Sequence, residues 1–300
     1  PVVIGLGGGG VLDAARAVAC LLTNSGDILD YLEIIGKGKT IAHRAAPLVA
    51  IPTTSGTGSE VTRNAVLTSP EHSLKVSLRS PLLLPLIACV DPELTLTVPP
   101  ALTANTGMDA LSHILESFVS HAANPMTDAI CREGLMRARS LLPAFENGND
   151  LAARSDMSLA SLMGGIALAN SRLGAVHGFA APLGGTFDAP HGAVCAALLA
   201  PVMEVNIRAL RARDPGSLSL ERYAVVARIL TNDQSATAED AVKWVSDLAR
   251  DLGISGISSF GVTDSHSSEL CVKAAAASSM KGNPIVLQTE ELQEILLRAR

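Results

Sequence analysis

The feature that most constrains this chain is a run of four glycines, Gly7-Gly8-Gly9-Gly10, set between a short β-branched segment, Val2–Leu6, and an apolar segment, Val11–Leu22. Glycine suits a chain that turns sharply out of a buried strand into a helix, because the backbone can then come close to a ligand. The free N–H groups at the start of that helix favour an anion such as a pyrophosphate. The run lacks the G-x-G-x-x-G spacing of the common dinucleotide fingerprint. Taken alone, it reads equally as a phosphate cradle or as a tight turn. Asp13 falls in the first turn of the helix, where the helix dipole favours a carboxylate with or without a ligand.

The alternation continues through residues 1–97. Pro47–Pro52 (PLVAIP) reads as a second buried strand, followed by the loop Thr53–Ser59 (TTSGTGS) and, later, by a third strand-like run, Ile87–Val90. Strand, glycine turn, helix and strand form the βαβ pattern of a parallel sheet covered by helices. Ligands of such sheets bind at the C-terminal ends of the strands, where both loops fall. The second loop also reads as a hydroxyl-rich turn that satisfies its own backbone. From Pro99-Pro100 onward the pattern becomes helical, with helices predicted at 99–120, 125–142, 151–169, 173–182, 191–211, 218–231, 236–252, 266–280 and 289–299, and a loop at 254–264. The expected fold is α/β: an incomplete parallel-sheet dinucleotide-binding domain over 1–97, then an all-helical metal-binding domain over 98–300. The first strand has nothing before it to pair with, which suggests missing N-terminal sequence.

Composition narrows the partners. The 300 residues are 48% apolar and 17% charged with a net charge of −6, enough for a real core and the wrong sign for a nucleic-acid binder. The longest apolar stretch, PLLLPLIACV at 81–90, spans only about half a bilayer and holds two prolines, so no membrane segment is expected. No signal peptide is visible. Cys20, Cys89, Cys131, Cys195 and Cys271 are scattered without a C-x-x-C pair, which suits a reducing cytoplasm. They read as small buried apolar residues rather than nucleophiles, since none has a base beside it in sequence.

Four residues suggest a metal. Asp109 and His113 stand four apart on the helix after Pro100, so both project from one face. His177 and His191 begin later helical segments, each followed by glycine, which would leave room for a metal and substrate. One carboxylate and three imidazoles suit Fe²⁺ or Zn²⁺ and exclude a soft thiolate site. The spacing is weak evidence by itself, since D-x-x-x-H pairs on helices are common. Glu116, three residues beyond His113, is a candidate partner for a ligating imidazole, or else a structural carboxylate. His43, His72 and His266 read as solvated, and His121 as a residue at the helix C-terminus, where the dipole favours it.

These motifs resemble the iron-containing (group III) alcohol dehydrogenase family. The matching runs are VIGLGGG-x-VLDAAR (3–16), IPTTSGTGSEVT (51–62), VDPELTLTVPPALTANTGMDALSHILESFVS (90–120), ANPMTDA (123–129), AVHGFAAPLGGTFDAPHGAVCAALL (175–199) and SSMKGNPIVLQTEEL near the end. The resemblance covers essentially the whole chain. It implies a longer nucleotide domain ahead of residue 1. It places Asp109, His113, His177 and His191 on the four metal-ligand positions, and Gly7, Gly8, Gly9, Gly10 and Asp13 on the pyrophosphate loop. Thr53, Thr54, Asn64 and Lys75 fall on other cofactor contacts.

By the same resemblance the cofactors are Fe²⁺ (or Zn²⁺) and NAD or NADP. The partner is a small alcohol or aldehyde, and the protein is a cytoplasmic homo-oligomer, a dimer or larger. The implied reaction moves a hydride between an alcohol and the nicotinamide while the metal acts as a Lewis acid. Alternatives are a dehydroquinate-synthase-type lyase or cyclase on the same plan, or a truncated metal-binding fragment without activity. Three positions depart from the family pattern. Gly10 stands where serine is usual, Arg16 where lysine is commoner, and Ala181 where many members carry a second histidine associated with proton transfer. Alanine cannot shuttle a proton.

Overall fold

The computed structural model describes every residue except 70, 72, 73 and 188. The glycine turn behaves as the βα pattern requires. Strand β1 (Val3–Gly7) leads into helix α1 (Gly9–Leu21), and β2 (Leu48–Pro52) returns parallel to β1, with Val3 opposite Leu48 and Gly7 opposite Pro52. Next comes an antiparallel hairpin, β3 (Asn64–Ser69) and β4 (Leu74–Arg79), with Asn64 opposite Arg79. The two-residue strand β5 (Ile87–Ala88) then joins the parallel sheet on the far side of β2, giving the order β1-β2-β5.

The hairpin is not among the elements expected from sequence. Its β4 strand buries Val76 and Leu78 in alternation and packs them with Ala17 and Cys20 of α1 and with Tyr31, Leu32 and Ile41 from the long connection before β2. That alternation is the period-2 signal of a strand with one buried face. Helix α1 is thus held between sheet and hairpin. On the sheet's opposite face the β1 side chains Ile4 and Leu6 are 65% and 57% exposed.

The remaining described elements are helical: α2 (Pro100–Val119), α3 (Pro125–Ala138), α4 (Leu141–Glu146), α5 (Leu151–Asn170), α6 (Ala175–Thr186), α7 (His191–Arg213), α8 (Leu218–Thr231), α9 (Ala238–Asp251), α10 (Ser267–Ala276) and α11 (Thr289–Arg298). The segment expected as one helix over 125–142 is two. Pro143 lacks the N–H that would bond back to residue 139, so it sits in the first turn of a new helix instead. The helix expected to reach 280 stops at Ala276 and gives way to a 3₁₀ turn at Ser279–Gly282.

Helix α2 is the axis of this part, buried continuously from Gly107 to Val119 and packed against α3, α5 and α7. Helix α7 is long and apolar enough to cross a membrane by length and composition, but 78% of its apolar stretch is buried against the other helices. Between α5 and α6 the chain turns by 99°, and the start of α6 meets Glu116 in the C-terminal part of α2.

The loop after β2 joins the two parts. Gly58 has φ +58°, and a Cβ there would lie 2.5 Å from the Gly165 Cα of α5, so loop and helix meet backbone to backbone. Ser55 and Ser158 hydroxyls are 3.1 Å apart, and Gly56 packs on Thr106, one turn before Asp109.

Candidate metal centre and nucleotide crevice

Asp109 and His113 sit one turn apart on α2, His177 in the first turn of α6, and His191 at the first residue of α7. The structure brings all four together: one donor atom from each lies within 4.8 Å of the others. Asp109 Oδ1 is 3.5 Å from His177 Nε2, 3.6 Å from His191 Nε2 and 3.9 Å from His113 Nε2. The His113 and His177 rings stack with centroids 4.5 Å apart. Three of the residues are buried, and the His191 side chain, 44% exposed, marks the open side.

Asp109 Oδ1 is fully enclosed and has no hydrogen-bond partner. A buried carboxylate oxygen without a donor is costly, and a cation among these donors would satisfy it. Donor set and orphaned oxygen together fit a divalent first-row metal.

The charges are strongly coupled. Burial pushes the Asp109 carboxyl up, but the imidazoles of His113, His191 and His177 outweigh it and hold it well below the usual range. Burial dominates at His113 and pulls it down to about 4, against the Asp109 carboxylate. His191 is raised to about 9, chiefly by negative charge at Cys195 and then by Asp109, against desolvation. At His177 burial works downward, yet Cys195, Asp109 and Glu116 together raise it well above its ordinary value.

Glu116 is the carboxylate behind the cluster. Its Oε2 lies 2.7 Å from His177 Nδ1, and its Oε1 accepts the Val176 N–H at 2.8 Å, so it fixes both the ring and the start of α6. The imidazole it serves is on another helix, not the neighbouring His113. Asn283 was not singled out from sequence, yet its Oδ1 accepts the Ala175 N–H and it exchanges hydrogen bonds with Asn206, whose amide donates to Tyr223. This buried network holds the N-terminus of α6 from the side away from the cluster. Only the NP dipeptide near the end of the chain hinted at a special turn there.

Several expectations need correction. Gly192 does not open space for a metal: a Cβ there would strike the Asn105 carbonyl oxygen at 2.5 Å, so it lets α7 close onto α2. Gly178 packs on Met280 in the same way. Cys20, Cys131, Cys195 and Cys271 are buried, but Cys89 is exposed. Cys195 is not an isolated apolar filler, since its Sγ lies 3.7 Å from both His177 Nε2 and His191 Nε2. A sequence search for adjacent bases misses it because His177 arrives from another helix. His266 is half-buried, packed edge-on against Phe187 at 4.9 Å and accepting the Thr263 N–H in an exposed hydrogen bond, and His43 is exposed as expected. His72 lies outside the described residues. His121 follows the last turn of α2, with Nδ1 3.5 Å from the Asn283 carbonyl oxygen.

At the crevice, the glycine turn and the second loop face each other. Thr53 N–H donates to the Gly7 carbonyl, Thr54 stands beside Gly8 and Thr57 beside Gly9, while the space beside Gly10 is open. Asp13 is already engaged: Arg16 (2.8 Å), the Ser59 hydroxyl (2.7 Å) and the Val66 N–H (3.0 Å) all bond to its carboxylate. Arg16 is fully buried and also donates to the carbonyls of Ser59 and Asn64, so it braces the loop and hairpin from beneath. Asn64 and Lys75 lie on the hairpin, and the Lys75 ammonium reaches α6 beside Gly184. Ala181 is exposed one turn beyond His177.

An Asp-His₃ group close to a loop that faces a glycine-lined strand end makes a candidate metal centre beside a candidate nucleotide crevice. Comparison with known proteins gives the family. Residues 1–92 match the family model for iron-containing alcohol dehydrogenase, and residues 103–300 match that for the C-terminal part of the Fe-containing alcohol dehydrogenase family. Alcohol dehydrogenase 4 of Saccharomyces cerevisiae is 35% identical over 99% of this chain and 75% of its own length. A crystal structure of a 1,3-propanediol oxidoreductase superposes with a TM-score of 0.91 at 34% identity, over 100% of this chain and 77% of that one. A sulfoacetaldehyde reductase from Bifidobacterium kashiwanohense in complex with NAD⁺ gives 0.86 at 28% identity, over 99% and 75%. The chain belongs to the iron-containing alcohol dehydrogenase family. It is an oxidoreductase that interconverts an alcohol and its carbonyl compound.

Proposed function

We propose that this chain oxidises small primary or secondary alcohols, and reduces the matching aldehydes or ketones, with one divalent cation (Fe²⁺ or Zn²⁺) held by Asp109, His113, His177 and His191. The nicotinamide cofactor is NAD or NADP. The observation that carries this reading is the orphaned Asp109 Oδ1 facing three imidazole nitrogens at 3.5–3.9 Å. A bound cation supplies Lewis acidity to the substrate oxygen, and the nicotinamide supplies or accepts the hydride.

The chain's own residues prepare that chemistry. Glu116 orients the His177 ring through Nδ1, which leaves Nε2 directed at the cluster. Enclosure by α2, α5, α6 and α7 excludes water from Asp109 and His113, while the exposed edge of His191 leaves one side for substrate. The backbone N–H groups of the Gly7–Gly10 turn at the start of α1 would take the pyrophosphate, with Thr53 and Thr54 across from them. Lys75 and Asn64 are assigned to further cofactor contacts from the hairpin, and the Lys75 ammonium suits a ribose hydroxyl or a phosphate. Asp13 is assigned a supporting part, since its hydrogen bonds go to the loop and hairpin. With Ala181 exposed and unable to carry a proton, protons leave this site through solvent. The nucleotide part is assigned to residues 1–97 and the metal part to 98–300.

Dehydrogenase, oxidoreductase and reductase names among the relatives favour hydride transfer over a lyase or cyclase reaction. All five cysteines are free, which supports a reducing cytoplasm as the working compartment. A homo-oligomer, dimer or larger, is proposed and is read by light scattering.

The test is turnover of a panel of small alcohols and aldehydes with NAD and NADP, before and after chelation. Activity lost on chelation and restored by Fe²⁺ or Zn²⁺ supports the reading. Turnover indifferent to metal removal overturns it. Titration of NAD(H) separates an active enzyme from a metal-binding fragment, which would give no binding heat.

A further inference from the structure

We infer that Asn283 is a positioning residue for the metal ligand His177, holding the helix that carries it at the height and rotation the cation needs. This rests on the metal reading above and adds a residue outside the four ligands.

Helix α6 starts without a cap of its own. Its first N–H groups have no partner within the helix, and Gly174, which precedes it, has no side chain to offer them. Two side chains from elsewhere in the chain take that place. Asn283 Oδ1 accepts the Ala175 N–H at 3.1 Å, and Glu116 Oε1 accepts the Val176 N–H at 2.8 Å. The two oxygens close in on Gly174, where a Cβ would lie 2.8 Å from each. His177 is the next residue, and its Nε2 lies 3.5 Å from Asp109 Oδ1. Successive N–H groups stand about 100° apart around a helix axis. One acceptor there leaves a pivot, and two fix both the height and the rotation of the helix start.

Asn283 is itself held with its amide in one orientation. Its Nδ2 donates to Asn206 Oδ1 at 2.7 Å and to the Ile285 carbonyl at 2.8 Å. Asn206 Nδ2 in turn donates to Asn283 Oδ1 and to the Tyr223 hydroxyl, both at 3.2 Å. A flipped Asn283 amide would set its NH₂ against the Ala175 N–H, donor facing donor. Pro284 keeps the Asn283 backbone extended, with ψ 140°. Gly282 lies against the Leu173 carbonyl, where no Cβ would fit. The 3₁₀ turn and Asn283 are therefore seated directly on the segment that leads into α6.

Helix ends fray, and His177 stands in a first turn. A metal site tolerates only about 0.5 Å of misplacement in its donors, so a loose start to α6 would spread His177 beyond use. Glu116 holds both ring and backbone, whereas Asn283 holds backbone alone. Its loss should weaken the grip on the ion while the ring keeps its carboxylate partner.

The test is zinc affinity by chelator competition on the whole chain, run as a double-mutant cycle. Asn283→Ala should weaken zinc binding about 10-fold. In a His177→Ala background the same substitution should change affinity by no more than about twofold, because the ligand it acts through is gone. Unchanged affinity in Asn283→Ala overturns the role. An equal loss with and without His177 also overturns it, since that marks a general loosening of the fold. Hydrogen exchange on the wild-type chain gives a reading without substitution. Zinc loading should slow amide exchange over residues 174–178 and also over the turn at 279–287, because coupling between ligand and turn acts in both directions. A turn whose exchange is indifferent to zinc overturns the proposal and leaves the four-residue site standing. This measurement decides where a variant fails to fold or to bind zinc. A wild-type chain that takes up no zinc contradicts the metal reading itself.

Discussion

Glu116 Oε2 lies 2.7 Å from His177 Nδ1, and the other oxygen of the same carboxylate caps the Val176 N–H. A single buried side chain on α2 thereby sets the rotation of one imidazole and the position of the helix that carries it. Glu116→Gln keeps the shape but weakens the ring's partner. It should lower metal affinity about 10–100-fold by chelator competition, with a small change in thermal midpoint. Glu116→Ala leaves the Val176 N–H unpaired and should also cost about 1–3 kcal/mol in urea unfolding. Unchanged metal affinity in Glu116→Gln would remove Glu116 from the metal's support.

Metal uptake should depend on pH with a definite sign. In the metal-free protein His191 is raised to about 9 and His177 lies well above its ordinary value, so both hold protons at neutral pH that a cation must displace. Apparent affinity is expected to rise with pH up to about 9 and then level off, with protons released on binding. Calorimetry in buffers of different ionisation enthalpy measures the release. Zero release at pH 7 would show that these imidazoles are already neutral.

The same imidazoles contribute to stability in the opposite sense. Their folded values exceed the unfolded value near 6.5, so the stabilisation is full below that pH and fades as pH rises toward about 9. The thermal midpoint of the metal-free protein should fall across that window. A midpoint that rises there would contradict the charge assignment.

The loop after β2 is predicted to be intolerant at its contact with α5. A Cβ at Gly165 would lie 2.4 Å from the Gly58 carbonyl oxygen. The gain of about 1 kcal/mol from alanine in a helix is outweighed by forcing two backbones apart. Gly165→Ala should destabilise the protein by about 1–2 kcal/mol and raise the KM for the nicotinamide cofactor. A stabilised variant with unchanged KM would show that this contact is loose.

Arg16 offers a check that does not involve the metal. It is fully buried and ties Asp13, Ser59 and the Asn64 carbonyl together. Asp13 keeps some solvent contact, which places Arg16→Met near the lower end of the cost of breaking a buried pair, about 3 kcal/mol. Urea unfolding reads it directly, and a loss under about 1 kcal/mol would mean that hairpin and loop hold themselves in place.

The parts legible in the sequence share a cause. The βαβ unit and the helices announce themselves through local periodicity, and Asp109 and His113 through a fixed helical interval. His177 and His191 were candidates only as histidines followed by glycine at helical segments, and the family resemblance tied them to Asp109 and His113, since no spacing rule connects them. The β3–β4 hairpin was legible in principle, since Val76 and Leu78 alternate with Lys75 and Ser77, but the short polar run hid it. Other relations exist only once helices are packed. Glu116 turned out to serve His177 on α6, Gly192 to admit the Asn105 carbonyl, Asn283 to hold α6 from a distant turn, and Cys195 to face two histidines. Each depends on where another helix lands, and sequence distance carries no record of that.

The central claim is that one cation is shared by Asp109, His113, His177 and His191. Anomalous diffraction from a crystal of the zinc-loaded protein tests it most directly. The account predicts a single peak within about 2.0–2.3 Å of one donor atom from each of the four residues. A peak elsewhere, or none at saturating zinc, would contradict it.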